Sequence, residues 1–210
     1  MDTDSELVKD AVLALCLRGG GGLIGSCRRI LEGDELTLRE SERLHLRGAL
    51  PSLWRASGAV RIIARGLVVQ LGGGDATFAR AFGKAAEWPK GLIGSLAHDA
   101  TFAIAVAAPK TPFRSVGVDI EPNSPLPPGL IDFLATPRER HRLRKCTMPE
   151  RLLFCIKEAV YKATNPIDGI FLEPQDIEFD ADSSIARTST GHTLDIFTEI
   201  GSWLLALACL

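Results

Sequence analysis

The chain has 210 residues, 46% of them hydrophobic and 24% charged, with a formal net charge of −2. That length permits one large domain or two small ones and is enough to bury a core. The near-zero charge excludes a global field that would gather nucleic acid or an anionic membrane, so an acidic partner must be met by a local basic patch.

Residues 1–6 are rich in acids and lack the basic start of a signal peptide. The most apolar stretches, 100–108 and 202–210, reach about half of the roughly 20 residues a membrane helix needs. Five cysteines, at 16, 27, 146, 155 and 209, are odd in number and form no Cys-x-x-Cys pair. Free thiols in a reducing cytoplasm are expected.

Two apolar runs, 7–17 and 23–31, are separated by Arg18 and four glycines, and predict two strands joined by a glycine turn. Thr37-Leu-Arg-Glu40 has capping-box spacing. It opens a helical stretch broken near Pro51 and resumed over 53–71, where Leu53, Ala56, Val60, Ile63 and Leu67 recur at helical spacing. Residues 73–91 read as loop. A strand, a turn at His98-Asp99 and a second strand follow over 92–108, then a strand over 115–121 and a proline-rich connector over 122–128 that cannot be regular. Helices are expected near 131–134, 137–145 and 149–163, and antiparallel strands at 177–180, 193–199 and 202–209. This order predicts an α+β fold of two halves, 1–110 and 111–210.

Three segments carry candidate chemistry. In Val116-Gly-Val-Asp119-Ile-Glu121, residues two apart on a strand share a face, so Asp119 and Glu121 lie side by side. Two such charges are relieved by a hard divalent cation, of which magnesium keeps positions open for phosphates; an exposed strand end with two solvated acids is the plainer reading. In Phe154-Cys-Ile-Lys157-Glu158-Ala-Val-Tyr-Lys162, Glu158 and Lys162 are four apart on a helix, an ordinary favourable pair or a third carboxylate with a cation for a phosphate. Gly94-Ser95-Leu-Ala-His98-Asp99 sits between two apolar strands, where turn residues are fixed by the scaffold. His98 there is either solvated or a phosphate contact.

Taken in chain order, the segments resemble the three signature motifs of the phosphopantetheinyl transferase superfamily, and more narrowly the enterobactin-synthetase-component-D type of its Sfp-like branch. Trp88-Pro-Lys-Gly, Thr136-Pro137 with Glu139-Arg140, and Gly169-Ile-Phe-Leu fit the same branch. The resemblance is specific from about residue 88 to 179 and thin before residue 53. It implies a pseudodimer of two similar halves, each a small antiparallel sheet packed with a long helix, with the active site between them. It implies magnesium held by Asp119, Glu121 and Glu158 against the diphosphate of coenzyme A. It also implies coenzyme A contacts from Arg61, Lys84, Ser95, His98, Lys157 and Lys162, with Glu158 and Lys162 catalytic. The implied reaction is transfer of the phosphopantetheine arm to a serine of an apo carrier protein, by a monomer, for siderophore or other peptide synthesis. The implied base is Glu158 or a water on the metal. The chain departs from the branch at Ala97, which stands in place of a serine, at Ala86, in place of a proline, and at Asp99. That acid stands beside His98, placed to repel an anion or to orient the imidazole.

A rival reading is a catalytically silent nucleotide- or dinucleotide-binding module, since Gly20-Gly-Gly22-Leu-Ile-Gly25 matches Gly-x-Gly-x-x-Gly. That fingerprint requires a strand before the glycines and a helix after them. The segment before Gly33 is too short for the crossover, and the glycines read instead as a hairpin turn. Residues 137–145 form the one dense basic run, either a solvated helix face or a docking surface for an acidic carrier. His45, His141 and His192 read as surface residues, and Trp54 and Trp203 as packing.

Overall fold

The computed structural model describes residues 3–79, 85–145 and 147–210. Two antiparallel sheets form its framework. In the first, β1 (Ile24–Arg29), β2 (Leu92–His98) and β3 (Phe102–Pro109) lie in the order β1-β3-β2. In the second, β4 (Val116–Pro122), β5 (Ile177–Asp180), β6 (Ile185–Thr188), β7 (Thr193–Ile200) and β8 (Trp203–Cys209) lie in the order β4-β8-β7-β6-β5. The helices are α1 (Thr3–Gly19), α2 (Glu40–Arg43), α3 (Pro51–Gln70), α4 (Leu130–Leu134), α5 (Pro137–Leu143) and α6 (Glu150–Asp168). The chain is thus α+β.

Strand alternation builds the layers. On β3, Phe102, Ile104, Val106 and Ala108 share one core with Val116, Val118 and Ile120 of β4 and with Leu205 and Leu207 of β8. The opposite face of β3, Ala103, Ala105 and Ala107, packs on Ala59, Val60, Ile63 and Leu67 of α3. Leu204, Ala206 and Ala208 of β8 pack in the same way on Ile156, Ala159, Val160 and Ala163 of α6. The two sheets therefore share an inner core, and each carries one long helix on its outer face. Each buried leucine or isoleucine contributes roughly 1.5–3 kcal/mol of transfer free energy.

The N-terminal reading is corrected. Residues 7–17 are not a strand but the body of α1, whose Val8, Val12, Leu15 and Cys16 are buried at helical spacing and enter the inter-sheet core. The glycines that follow make a helix-to-strand turn, with Gly20, Gly21 and Gly22 all at positive φ. The order is helix, turn, strand, the reverse of a dinucleotide site. The break expected near Pro51 is present at residues 47–50, and Pro51 itself starts α3 at its first turn. The carboxylate that caps the α2 turn is Glu42 rather than Glu40: its Oε2 accepts the Arg39 N–H at 2.9 Å. Strand β6 was not expected, and α6 runs on through Pro166 to Asp168. Cys16, Cys27, Cys155 and Cys209 are free thiols, and Cys146 lies outside the described residues. Among the described residues no helix is long and apolar enough to cross a membrane.

One glycine sets the site. A Cβ at Gly117 would come within 1.9 Å of the Ala159 carbonyl oxygen and 2.6 Å of the Ala163 nitrogen. Only a bare Cα lets α6 lie directly on β4 there. That contact carries Glu158 and Lys162 over the strand residues Asp119 and Glu121.

Candidate active site

A cleft of about 620 Å³ opens between α3 and β2 on one wall and β4 and α6 on the other. Asp119, Glu121, Glu158, Lys162 and His98 all line it, as do Ser95 and Arg61. The helical period explains the α6 contribution: Phe154, Glu158, Tyr161, Lys162 and Asn165 recur on one face and all reach the cleft.

Lys162 Nζ donates to Asp119 Oδ1 at 2.6 Å and to the Val118 carbonyl at 3.4 Å. Burial alone would lower the Lys162 ammonium, but Asp119 and Glu158 outweigh it and raise it above its ordinary value. Asp119 is 5% exposed, and burial pushes its carboxyl up against the pull of Lys162. Its Oδ2 is buried with no hydrogen-bond partner. Glu121 Oε2 accepts from Arg151 Nη1 at 3.0 Å, and the same guanidinium donates to the Ser124 and Pro125 carbonyls, both at 2.8 Å. Glu121 and Glu158 are each raised, first by burial and then by the charge of Asp119.

Among the described residues no three His, Cys, Asp or Glu side chains form a ready-made metal cage. Asp119 and Glu121 are each engaged by a cation instead. The donor set nevertheless suits a hard divalent ion: three carboxylates on one wall, all raised by burial, one with an unpartnered buried oxygen.

The other expected contacts divide. His98 lines the cleft; its Nδ1 lies 3.2 Å from the Asp99 carbonyl, and burial lowers its pKa, with Lys162 adding to the effect. Ser95 lines the cleft too, but its hydroxyl oxygen accepts the Val118 N–H at 3.0 Å and so ties β2 to β4. Arg61 is 3% exposed and braces the wall, donating to the Phe78 carbonyl at 3.2 Å and the Ser57 carbonyl at 3.0 Å. Lys84 lies outside the described residues.

Lys157 is a correction. It points away from the cleft and is 3% exposed, with Nζ donating to Glu139 Oε2 at 2.7 Å and to the Leu134, Pro174 and Ile177 carbonyls at 2.9, 2.8 and 2.7 Å. A buried ammonium surrounded by four acceptors is a structural tie, not a coenzyme contact. Its partner Glu139 also closes the α5 capping box, accepting the Thr136 N–H at 2.8 Å while Thr136 Oγ1 accepts the Glu139 N–H at 3.2 Å.

The basic run is less free than its composition implies. Arg138 pairs with Glu178 at 3.5 Å, Arg140 with Asp132 at 3.4 Å and Arg142 with Asp180 at 2.8 Å. His45, read from the sequence as a surface residue, lines the cleft, and Arg151 had no part in the sequence reading. Arg151 stands seven residues before Glu158, two helical turns along the same face, and that spacing was the available signal.

Comparison with known proteins covers the segments that carry these residues. Residues 115–208 match the model of the 4′-phosphopantetheinyl transferase superfamily, and residues 41–108 that of the 4′-phosphopantetheinyl transferase N-terminal domain. The chain is 39% identical over 109 residues to 4′-phosphopantetheinyl transferase Npt of Nocardia iowensis, covering 50% of this chain and 49% of the relative. It is 42% identical over 104 residues to 4′-phosphopantetheinyl transferase PptT of Mycobacterium tuberculosis, covering 46% and 45%. To 4′-phosphopantetheinyl transferase Svp of Streptomyces mobaraensis it is 33% identical over 159 residues, covering 73% and 64%. The chain thus spans about half the length of the first two relatives and 64% of the third. None of the three is described as an enterobactin synthetase component D.

Proposed function

We propose that the chain, whose residues 115–208 and 41–108 match the models of the 4′-phosphopantetheinyl transferase superfamily and of its N-terminal domain, moves the 4′-phosphopantetheine arm of coenzyme A onto a serine of an apo acyl or peptidyl carrier protein. The observation that carries this reading is the single cleft wall on which Asp119, Glu121, Glu158 and Lys162 stand together. In it, Asp119, Glu121 and Glu158 would hold magnesium, which when bound neutralises charge on the diphosphate.

The chain's own residues do the rest. The carrier serine Oγ bonds to the β-phosphorus of coenzyme A, and the bond from that phosphorus to the bridging oxygen breaks, releasing adenosine 3′,5′-bisphosphate. Glu158 takes the serine proton; its raised pKa makes it a stronger base than an exposed glutamate. Lys162, held protonated by Asp119 and Glu158, offsets charge gathering on the leaving phosphate. His98, on the opposite wall, meets a phosphate of the nucleotide end, and Arg61 behind it supports the same wall.

The division into similar halves, 1–110 and 111–210, with the cleft between them belongs to the same proposal. So does action as a cytoplasmic monomer, since one chain supplies every residue named. A siderophore or other peptide-synthesis carrier is the finer part of the reading, and it rests on the motif resemblance.

Release of adenosine 3′,5′-bisphosphate tests the reaction. It should require magnesium, coenzyme A and an apo carrier together. Equal release without any carrier, or none with carriers of peptide, polyketide and fatty-acid synthesis, would overturn the proposal.

A further inference from the structure

We propose that Asp99 and Trp203 are a positioning pair that aims the His98 imidazole into the cleft, an inference that rests on the transfer reading above. The two residues lie 104 apart in sequence, Asp99 in the turn between β2 and β3 and Trp203 at the start of β8. Trp203 Nε1 donates to Asp99 Oδ2 at 2.8 Å. The other carboxylate oxygen, Oδ1, accepts the backbone N–H groups of Thr101 and Phe102, both at 2.6 Å. The Asp99 N–H in turn donates to the Phe102 carbonyl at 3.0 Å. Side chain and backbone of Asp99 therefore fix one turn from both sides.

That turn ends on His98. A carbonyl oxygen only accepts, so the 3.2 Å contact between His98 Nδ1 and the Asp99 carbonyl places the ring hydrogen on Nδ1 and leaves Nε2 for the cleft. The Asp99 carbonyl can hold the imidazole in this orientation only while the turn keeps its shape. The anionic side chain of Asp99 does not line the cleft, and its two oxygens are turned to three N–H donors instead. An acid next to a phosphate contact is thereby an orienting group rather than a repelling one. Trp203 is anchored in its turn by edge-on packing against Phe102, with ring centroids 4.9 Å apart at 89°. The second sheet thus sets the aim of a residue on the first.

The test compares kcat and KM for coenzyme A in wild type, Asp99→Asn and Trp203→Phe, each also in a His98→Ala background, alongside nitrogen NMR of the His98 ring in the free protein. Asp99→Asn should raise KM about tenfold and change kcat by less than about twofold, the scale of one misdirected charged hydrogen bond. Trp203→Phe, which keeps the ring packing, should raise KM about threefold by losing one hydrogen bond. Neither should add to the effect of His98→Ala, and both should move the ring from a single Nδ1–H tautomer to a mixture. Undiminished effects in the His98→Ala background, or an unchanged tautomer in both variants, would overturn the pairing. Absence of transfer by the wild type would sink the transfer reading instead, and the NMR arm would still decide whether Asp99 and Trp203 orient the ring.

Discussion

Lys162 Nζ stands 2.6 Å from Asp119 Oδ1, while the second carboxylate oxygen of Asp119 is buried and unpartnered. Half of a buried carboxylate is neutralised by the protein's own cation, and the other half is left for something else.

Removing Lys162 should expose the cost of the arrangement. Lys162→Met leaves Asp119, 5% exposed, without its ion-pair partner. We expect a loss of about 3 kcal/mol in unfolding free energy, read by denaturant titration. Transfer should fall at least about 100-fold. Full stability in this variant would contradict the pairing.

Glu158 links activity and stability to pH with opposite signs. Its folded-state pKa is raised above the ordinary value of 4.5 by burial and by Asp119. A base must be ionised, so kcat should rise with pH through an acidic limb lying above that value. For folding, a raised carboxyl favours the protonated form, so its stabilising contribution is complete below the unfolded-state pKa and is lost as pH rises through the folded one. Glu158→Gln should therefore abolish transfer and raise the melting temperature at neutral pH. The gain should shrink as the pH falls below the unfolded value.

Lys157 should behave unlike Lys162. Both it and Glu139 are 3% exposed, and their contact is 2.7 Å. Lys157→Met strands a buried carboxylate and should cost about 3–5 kcal/mol. Whatever protein remains folded should keep the wild-type KM for coenzyme A. A raised KM in folded protein would return Lys157 to the coenzyme site.

Gly117→Ala tests the approach of α6 to β4. The added methyl meets backbone, which cannot swing aside. A loss of about 1–3 kcal/mol is expected from overpacking. Transfer should drop about 100-fold as Glu158 and Lys162 move off Asp119, since small displacements at a reacting centre are costly.

The site was legible because its spacing is local. Asp119 and Glu121 are two apart on β4, and Glu158 and Lys162 are four apart on α6, so each pair follows from one periodicity. The fate of Lys157 was not legible, because its partners Leu134, Glu139, Pro174 and Ile177 come from three other segments. His45 reaches the cleft for the same non-local reason. In the fold, α1 was mistaken for a strand because Leu7, Leu13 and Leu17 stand exposed at 54, 40 and 82%. Those leucines fill the face that normally reads as polar and erase the helical contrast of Val8, Val12 and Leu15. Strand β6 escaped because only Ala186 and Thr188 of its four residues are buried.

The most direct measurement of the central claim is the intact mass of an apo carrier protein after incubation with magnesium, coenzyme A and either the wild type or Glu158→Gln. One phosphopantetheine arm gained with the wild type, and none with the variant, is the predicted result. A carrier modified equally by both would remove Glu158 from the chemistry. Carriers of every class left unmodified by the wild type would contradict the assignment of this cleft as a transfer site.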